Sequence, residues 1–268
     1  MKRNRFKRNM LIAFMAAAIM VVQPFFAQNA KAMENTYYDS VYYNTGILTE
    51  EEWEALEGLP VGTVIIMSKT DNEFYYGKEA EEYVSAGLVE VISMAGVGSS
   101  SIGTAAFAKH IATARKDYVA GIVTGLGAKD VGDKGIEGYF IGRPSNVLGV
   151  SYTNTASEKL AELYNEGARP RLLIGHSKGN MDLANALYML REQGKESQFA
   201  GVNVITFGCG VYVPSGVGSI KQYLGNLDSL GMMNTVSYYH LTWVYGAYHT
   251  TNPAYTLTYM PIQYYVVD

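Results

Sequence analysis

Residues 171–180 read Arg171-Leu-Leu-Ile-Gly-His-Ser-Lys-Gly-Asn180 and contain one G-x-S-x-G pentapeptide, Gly175-His176-Ser177-Lys178-Gly179. The apolar run Leu172 to Ile174 feeds into it. A helical pattern leaves it, with Met181, Ala184, Leu187, Tyr188 and Met189 or Leu190 spaced to line one face between Asn180 and Gln193. Strand, tight turn and helix is the context in which this pattern lifts a serine hydroxyl clear of a sheet. The turn is strained and brings strand and helix close together, so side chains at Gly175 and Gly179 would collide. The pentapeptide alone is weak, because a chain with 28 Gly supplies about 0.2 such matches by chance. Its surroundings must carry the reading.

Those surroundings alternate in an α/β rhythm. Val64 to Met67, Tyr118 to Val123, Val147 to Tyr152 and Val202 to Phe207 read as strands, and shorter β-like runs precede Asp228 and cover Val236 to Val244. Thr49-Glu-Glu-Glu52 fits a capping box before a helix that Pro60 ends, and Thr155-Ala-Ser-Glu158 fits a second, closed by Gly167. Gly194 is the expected cap of the helix after the pentapeptide, and Gly125 to Gly142 reads as a glycine-rich loop. Val84 to Phe107 is small and nearly uncharged, with only Glu90 ionisable; it reads as a helical hairpin packed on the core or, second, as a lid over a site. Strands alternating with helices predict an α/β fold: a mostly parallel sheet covered by helices on both faces, with the serine turn after a central strand.

Residues 1–32 read as a signal peptide and residues 33–268 as one domain. Lys2, Arg3, Arg5, Lys7 and Arg8 form a basic start, Met10 to Val22 an apolar stretch of 13 residues, and Ala30-Lys31-Ala32 a cleavage site. Thirteen residues fall short of the ~20 that span a bilayer. Export is therefore expected, to a periplasm, envelope or exterior, with an uncleaved anchor as the alternative. Without that segment 15 Lys and Arg face 25 Asp and Glu, a formal charge of −10. Such an acidic chain is a poor partner for nucleic acid. The single cysteine, Cys209, excludes an internal disulfide framework, so a packed core must hold the fold. In Phe207-Gly-Cys-Gly-Val211 it reads as a small buried residue rather than a reactive thiol.

A serine hydroxyl needs a base within hydrogen-bond reach, and the base an orienting carboxylate. After an elbow of this kind they follow in the order acid, then histidine. Five acids follow Ser177: Asp182, Glu192, Glu196, Asp228 and Asp268. Asp182 leaves on the helix, Glu192 and Glu196 lie roughly 20 Å along it, and Asp268 ends the sequence, where chains fray. Asp228, in Leu224-Gly-Asn-Leu-Asp-Ser-Leu-Gly231, remains; its plainer reading is a capping aspartate in a turn. Of four histidines, His110 precedes the serine in a helical pattern, and His176 should pack beneath the turn. His240 sits in the strand-like Tyr238-Tyr-His-Leu-Thr-Trp243. His249, in the loop Gly246-Ala-Tyr-His-Thr-Thr-Asn-Pro253, is the first choice for the base and His240 the second. The expected roles are Ser177 as nucleophile, His249 as base and Asp228 as its orienter, with the Lys178 backbone N–H as one oxyanion donor. A second donor is expected from Gly125 to Gly127 or, next, from Met67-Ser-Lys-Thr70. The Lys178 side chain is expected in solvent.

With these residues the chain resembles the lipase and esterase branch of the α/β-hydrolases, and is most similar to class 3, fungal-type lipase-like proteins, over roughly Leu172 to Pro253. It has Asn180 where a further glycine is usual, and no His-Gly-Gly-Gly or Phe-Arg-Gly-Thr motif. The resemblance implies an α/β-hydrolase-like fold and a lipid or other carboxylic ester as substrate, with transient contact to a lipid surface. No S-x-x-K, zinc, P-loop or dinucleotide pattern competes, and neither cofactor nor metal is expected. The rival expectations are a secreted, non-catalytic surface protein whose 22 Tyr and 2 Trp form a contact face, and an acyltransferase using the same three residues.

Overall fold

Leu172, Leu173 and Ile174 are buried on alternate sides of a sheet, because a strand with helices on both faces has no solvent side and needs no polar residue. The computed structural model describes residues 36–255 and 257–267, within one compact unit, Asn35–Asp268. The expected signal peptide, residues 1–32, and Asp268 lie outside the described residues.

The architecture is α/β, with an eight-stranded, mostly parallel sheet. In chain order the strands are β1 (Val64–Met67), β2 (Phe74–Tyr76), β3 (Val91–Met94), β4 (Val119–Ile122), β5 (Leu172–His176), β6 (Asn203–Phe207), β7 (Ser219–Gly225) and β8 (Leu241–Val244). They lie side by side in the order β2-β1-β4-β3-β5-β6-β7-β8. From β4 to β8 every pairing is parallel; β1 is antiparallel to both β4 and β2.

The helices are α1 (Thr36–Tyr42), α2 (Glu50–Leu56), α3 (Lys78–Ser85), α4 (Ser101–Arg115), α5 (Val131–Glu137), α6 (Arg143–Leu148), α7 (Thr155–Glu166), α8 (Lys178–Glu192) and α9 (Ser229–Asn234). Ile102, Ala105 and Phe107 of α4 pack on one face with Val91, Ile174 and Phe207. Val84 of α3, Leu160 and Leu163 of α7, and Leu183 and Leu187 of α8 pack on the other with Ile92, Leu173 and Val204. The neighbouring strands β3 and β5 therefore send their following helices, α4 and α8, to opposite faces. A crevice opens at the carboxyl ends of such a strand pair, where open α/β sheets bind ligands.

Several local expectations are corrected. Val84 to Phe107 is neither hairpin nor lid: it holds β3, a tight glycine loop and the start of the buried α4. Its small residues let α4 lie against the sheet, where Gly121 of β4 has no room for a Cβ beside Thr104. Val147 to Tyr152 is the end of α6 followed by coil, since Gly149 adopts a left-handed cap (φ 67°) instead of extending. Gly125 to Gly142 is largely helical, including a π turn at Gly138–Gly142. The Thr49 capping box forms as expected, whereas the second helix is capped by Asn154, whose side chain accepts from Ser157 N–H.

Candidate functional site

Register builds the site. Met94 pairs with Gly175, so Gly96, two residues on, comes level with Ser177; a Cβ on Gly96 would stand 3.3 Å from that of Ser177. Ser177 itself turns the chain at φ 53°, ψ −125°, a conformation that L-residues rarely adopt. Space for this turn depends on glycine. A Cβ on Gly179 would overlap the carbonyl oxygens of Met94 and Ala95, and one on Gly175 the Asn180 side chain. Asn180, the departure from a further glycine, ties the turn to the next strand by donating to the carbonyls of Phe207 (2.8 Å) and Cys209 (2.9 Å).

The three residues singled out by chain order converge in one hydrogen-bonded line. Ser177 Oγ lies 2.7 Å from His249 Nε2, and His249 Nδ1 lies 2.7 Å from Asp228 Oδ2. A carboxylate oxygen accepts, so Nδ1 carries the proton and Nε2 offers its lone pair to the serine hydroxyl. Asp228 follows β7 and His249 follows β8, and the two loops are stitched by Leu227 N–H donating to Ala247 O (3.2 Å). Asp228 makes both contacts at once: Oδ1 caps α9 by accepting from Gly231 N–H (2.6 Å), while Oδ2 faces the imidazole. The cap fixes the carboxylate so that its free oxygen points one way. All three side chains are buried, Ser177 at 3% exposure. His240 is exposed, at φ 53°, and stands outside this line. Asp182 is also outside it.

A second network runs beneath the first, and sequence reasoning missed it. His176 Nε2 lies 2.8 Å from His249 O, and Nδ1 lies 2.8 Å from Tyr43 Oη. A carbonyl can only accept, so Nε2 holds the proton, Nδ1 accepts from the tyrosine, and Tyr43 Oη in turn accepts from Gly96 N–H (2.6 Å). Burial pushes the His176 pKa well below the ordinary histidine range, which keeps the ring neutral as this tautomer requires. The loop after β3, the serine turn and the His249 loop are thereby joined through two side chains. Gly208, at φ 78°, leaves room for both imidazoles, since a Cβ there would come within 3.0 Å of His249 and 3.2 Å of His176.

Neither stretch expected to supply a second donor lines the cavity at Ser177. Gly125–Gly127 stands behind the loop after β3, with Gly127 N–H donating to Gly98 O (2.6 Å). Met67–Thr70 follows β1, beyond β4 and β3 in strand order, and Ser68 bonds Glu73 there. The loop that does line the cavity with Ser177 is the one after β3, through Gly96, Val97 and Ser99. Among the described residues, neither Val97 N–H nor Lys178 N–H donates to another group. A signal was present in sequence: the run Val91-Ile-Ser-Met-Ala95 leads into Gly96-Val-Gly98, a strand-to-turn pattern masked by the surrounding small residues.

The Lys178 side chain is buried rather than solvated. Its Nζ lies 2.7 Å from Asp182 and 3.1 Å from Glu137, and Tyr152 Oη donates to Asp182 (3.1 Å). Burial opposes its charge, but the two carboxylates outweigh this and raise its pKa. This cluster clamps the first turn of α8 to the segment before α6. Cys209 is buried, with its thiol pushed up to about 12 by burial, as befits an inert packing residue.

Residues 36–43 roof the site, another feature not foreseen from the sequence. Tyr38 Oη donates to Val97 O (2.5 Å), and the Tyr42 ring stands edge-on to His249 with centroids 6.0 Å apart. Thr251 N–H and Asn252 Nδ2 hold the carbonyls of Tyr42 and Ser40 at 2.9 and 2.6 Å. Among the described residues no group of three or more His, Cys, Asp or Glu is arranged to hold a metal ion. In comparisons with known proteins, no protein-family model and no curated protein matches the chain.

Proposed function

We propose that the protein is an exported serine hydrolase of carboxylic esters on an α/β-hydrolase-type fold. The observation that carries this is the line Ser177 Oγ–His249 Nε2, His249 Nδ1–Asp228 Oδ2, with both contacts at 2.7 Å, on a serine held at positive φ between a strand and a helix. In this reading Ser177 attacks the ester carbonyl as His249 takes its proton. Asp228 holds the imidazole in the right tautomer and balances the charge it gains. The Lys178 N–H, at the first position of α8, and the Val97 N–H are free to receive the oxyanion. His249 then protonates the leaving alcohol, and water releases the acyl group by the same route in reverse.

Export rests on the basic start, apolar stretch and A-x-A site of residues 1–32. The lipase-like substrate class rests on the sequence resemblance over roughly Leu172 to Pro253. The test is labelling of the folded protein with a fluorophosphonate probe, alongside hydrolysis of simple chromogenic esters. Labelling and turnover should both vanish in Ser177→Ala. A folded wild-type protein that takes no label and cleaves no ester would sink the reading and favour a non-catalytic surface protein.

A further inference from the structure

Two cavities of very different size meet at His249. The first lies over the nucleophile, between Ser177, Val97, Tyr38 and Tyr42, and measures about 10 Å³. That is room for a single water-sized group. The second, about 290 Å³, opens beside His249 and Asp228 and is walled by Val41, Tyr42, Leu227, Leu230, Tyr248 and Tyr255. Tyr42, Leu230 and His249 border both.

Chemistry assigns the two halves of an ester to these spaces, given the serine-hydrolase reading on which this rests. The carbonyl must sit over Ser177 with its oxygen toward Val97 and Lys178 N–H, so the acyl chain enters the small cavity. The leaving oxygen must receive its proton from His249 Nε2, so the alcohol lies on the histidine side, where the larger cavity begins. We infer that the site takes esters of an acetyl-sized acid with an apolar alcohol, and that Tyr42 sets this division. Ser177 Oγ bonds to the acyl carbon as its proton passes to Nε2. The acyl C–O bond breaks with its electron pair going to the alcohol oxygen, which takes that proton. Water then adds to the acyl-serine, giving a proton to Nε2, and the short acid leaves as Oγ regains it.

Tyr42 is fixed in this position from several sides. Its carbonyl accepts from Thr251 N–H (2.9 Å) and Thr251 Oγ1 (2.7 Å), and its ring lies edge-on to His249. A longer acyl chain must therefore turn aside a ring carried on an anchored backbone, whereas a longer alcohol extends into space already open.

The experiment uses the purified full chain and two ester series. In the first, p-nitrophenyl acetate, butyrate and octanoate vary only the acid. In the second, ethyl, butyl and hexyl acetate vary only the alcohol. The expected result is a fall in kcat/KM of at least ~100-fold from acetate to octanoate and a rise of ~10-fold or more from ethyl to hexyl acetate. Tyr42→Ala, and to a lesser degree Tyr42→Leu, should raise the octanoate-to-acetate ratio ~10-fold or more. Octanoate cleaved as fast as acetate by the wild type overturns the inference even if neither variant folds. So does a flat alcohol series, or an unchanged ratio in both folded variants. If that cleavage is abolished by Ser177→Ala, only the substrate assignment falls; if no ester is cleaved at all, the hydrolase reading falls with it.

Discussion

The Nε2–H of His176 donates to the carbonyl oxygen of His249 at 2.8 Å, so the residue before the candidate nucleophile holds the backbone of the candidate base. Its other nitrogen accepts from Tyr43, which accepts from Gly96 N–H. The positions of three loops at the carboxyl ends of β3, β5 and β8 are thus not independent. A shift of one loop costs a buried hydrogen bond in another, and such bonds have no water to replace them.

Replacing His176 by Phe keeps an aromatic ring in the core but removes both contacts. The His249 carbonyl then loses its partner and the Tyr43 O–H its acceptor, although Tyr43 Oη still accepts from Gly96 N–H, at about 1–3 kcal/mol for each group left unpaired. The expected outcome is a kcat lower by ~10–100-fold with little change in KM, because small misplacement of a base is costly. A pH readout separates this from general damage. Burial holds the folded-state pKa of His176 below its unfolded value of ~6.5, so wild-type stability falls as pH drops below that value. His176→Phe should lose part of this acid slope in urea unfolding. An unchanged kcat would show that the loops hold without the link.

If Ser177, His249 and Asp228 act as one unit, Ser177→Ala, His249→Ala and Asp228→Asn should each lower kcat by ~10⁴-fold, and the double variants by little more. His240→Ala is the internal comparison, since His240 is exposed and makes no contact with the line. Steady-state rates on an activated ester decide it. Loss in His240→Ala with activity retained in His249→Ala would reverse the assignment.

The convergence of these residues was legible because scarcity made it so: one acid and one histidine stood in loops of the right kind after Ser177. The strand leading to Ser177 was legible too, from its three apolar residues. Other parts were hidden for physical reasons. Around β3 the alanines, serines and glycines that admit α4 so closely also erase the contrast on which periodicity depends. Val147 and Val150 suggested a strand, but Pro144 near the start of α6 and the left-handed Gly149 decide otherwise. Lys178 was assigned to water because a single charge says nothing of its partners. Glu137 is 41 positions away in sequence, and only the fold brings it within 3.1 Å. Tyr43 likewise reaches His176 across 133 positions.

Asp39 should give the roof over the site a pH-dependent anchor. Its carboxyl accepts from Ser100 N–H (3.2 Å) and Ser100 Oγ (2.5 Å) at the start of α4. Burial raises its pKa to about 6, and the Ser100 bonds only partly offset that. A raised acid binds its proton more tightly in the folded state. Stability should therefore be greatest below the unfolded value near 4 and fall as pH rises through about 6. The full change is roughly 3 kcal/mol, at 1.4 kcal/mol per pKa unit. Asp39→Asn removes the titration, so its stability relative to wild type should improve between pH 4 and pH 7. Urea midpoints at several pH values measure this difference and cancel the other titrating groups. A pH-independent difference would mean that Asp39 is ionised throughout.

Gly179 offers the sharpest test of the turn itself. Its missing side chain is what lets α8 approach the end of β3, where a Cβ would overlap the carbonyl oxygens of Met94 and Ala95. Neither obstacle can rotate away, since both are backbone atoms next to the loop that begins at Gly96. Gly179→Ala must therefore push α8 outward or bend β3. Either movement would shift Ser177 away from Val97 and His249. The expected cost is about 3 kcal/mol or more of stability, at the upper end of overpacking substitutions. Ester turnover should be lost even at temperatures where the variant stays folded. Gly194→Ala, at the far end of α8, is the matched comparison: its φ of 68° is strained for alanine, but no atom lies within 4 Å. That variant should lose about 1 kcal/mol of stability and keep its activity. Equal effects of the two substitutions would mean that α8 can move off β3 at little cost, since Gly179 is not among the residues of positive φ and carries no backbone strain of its own.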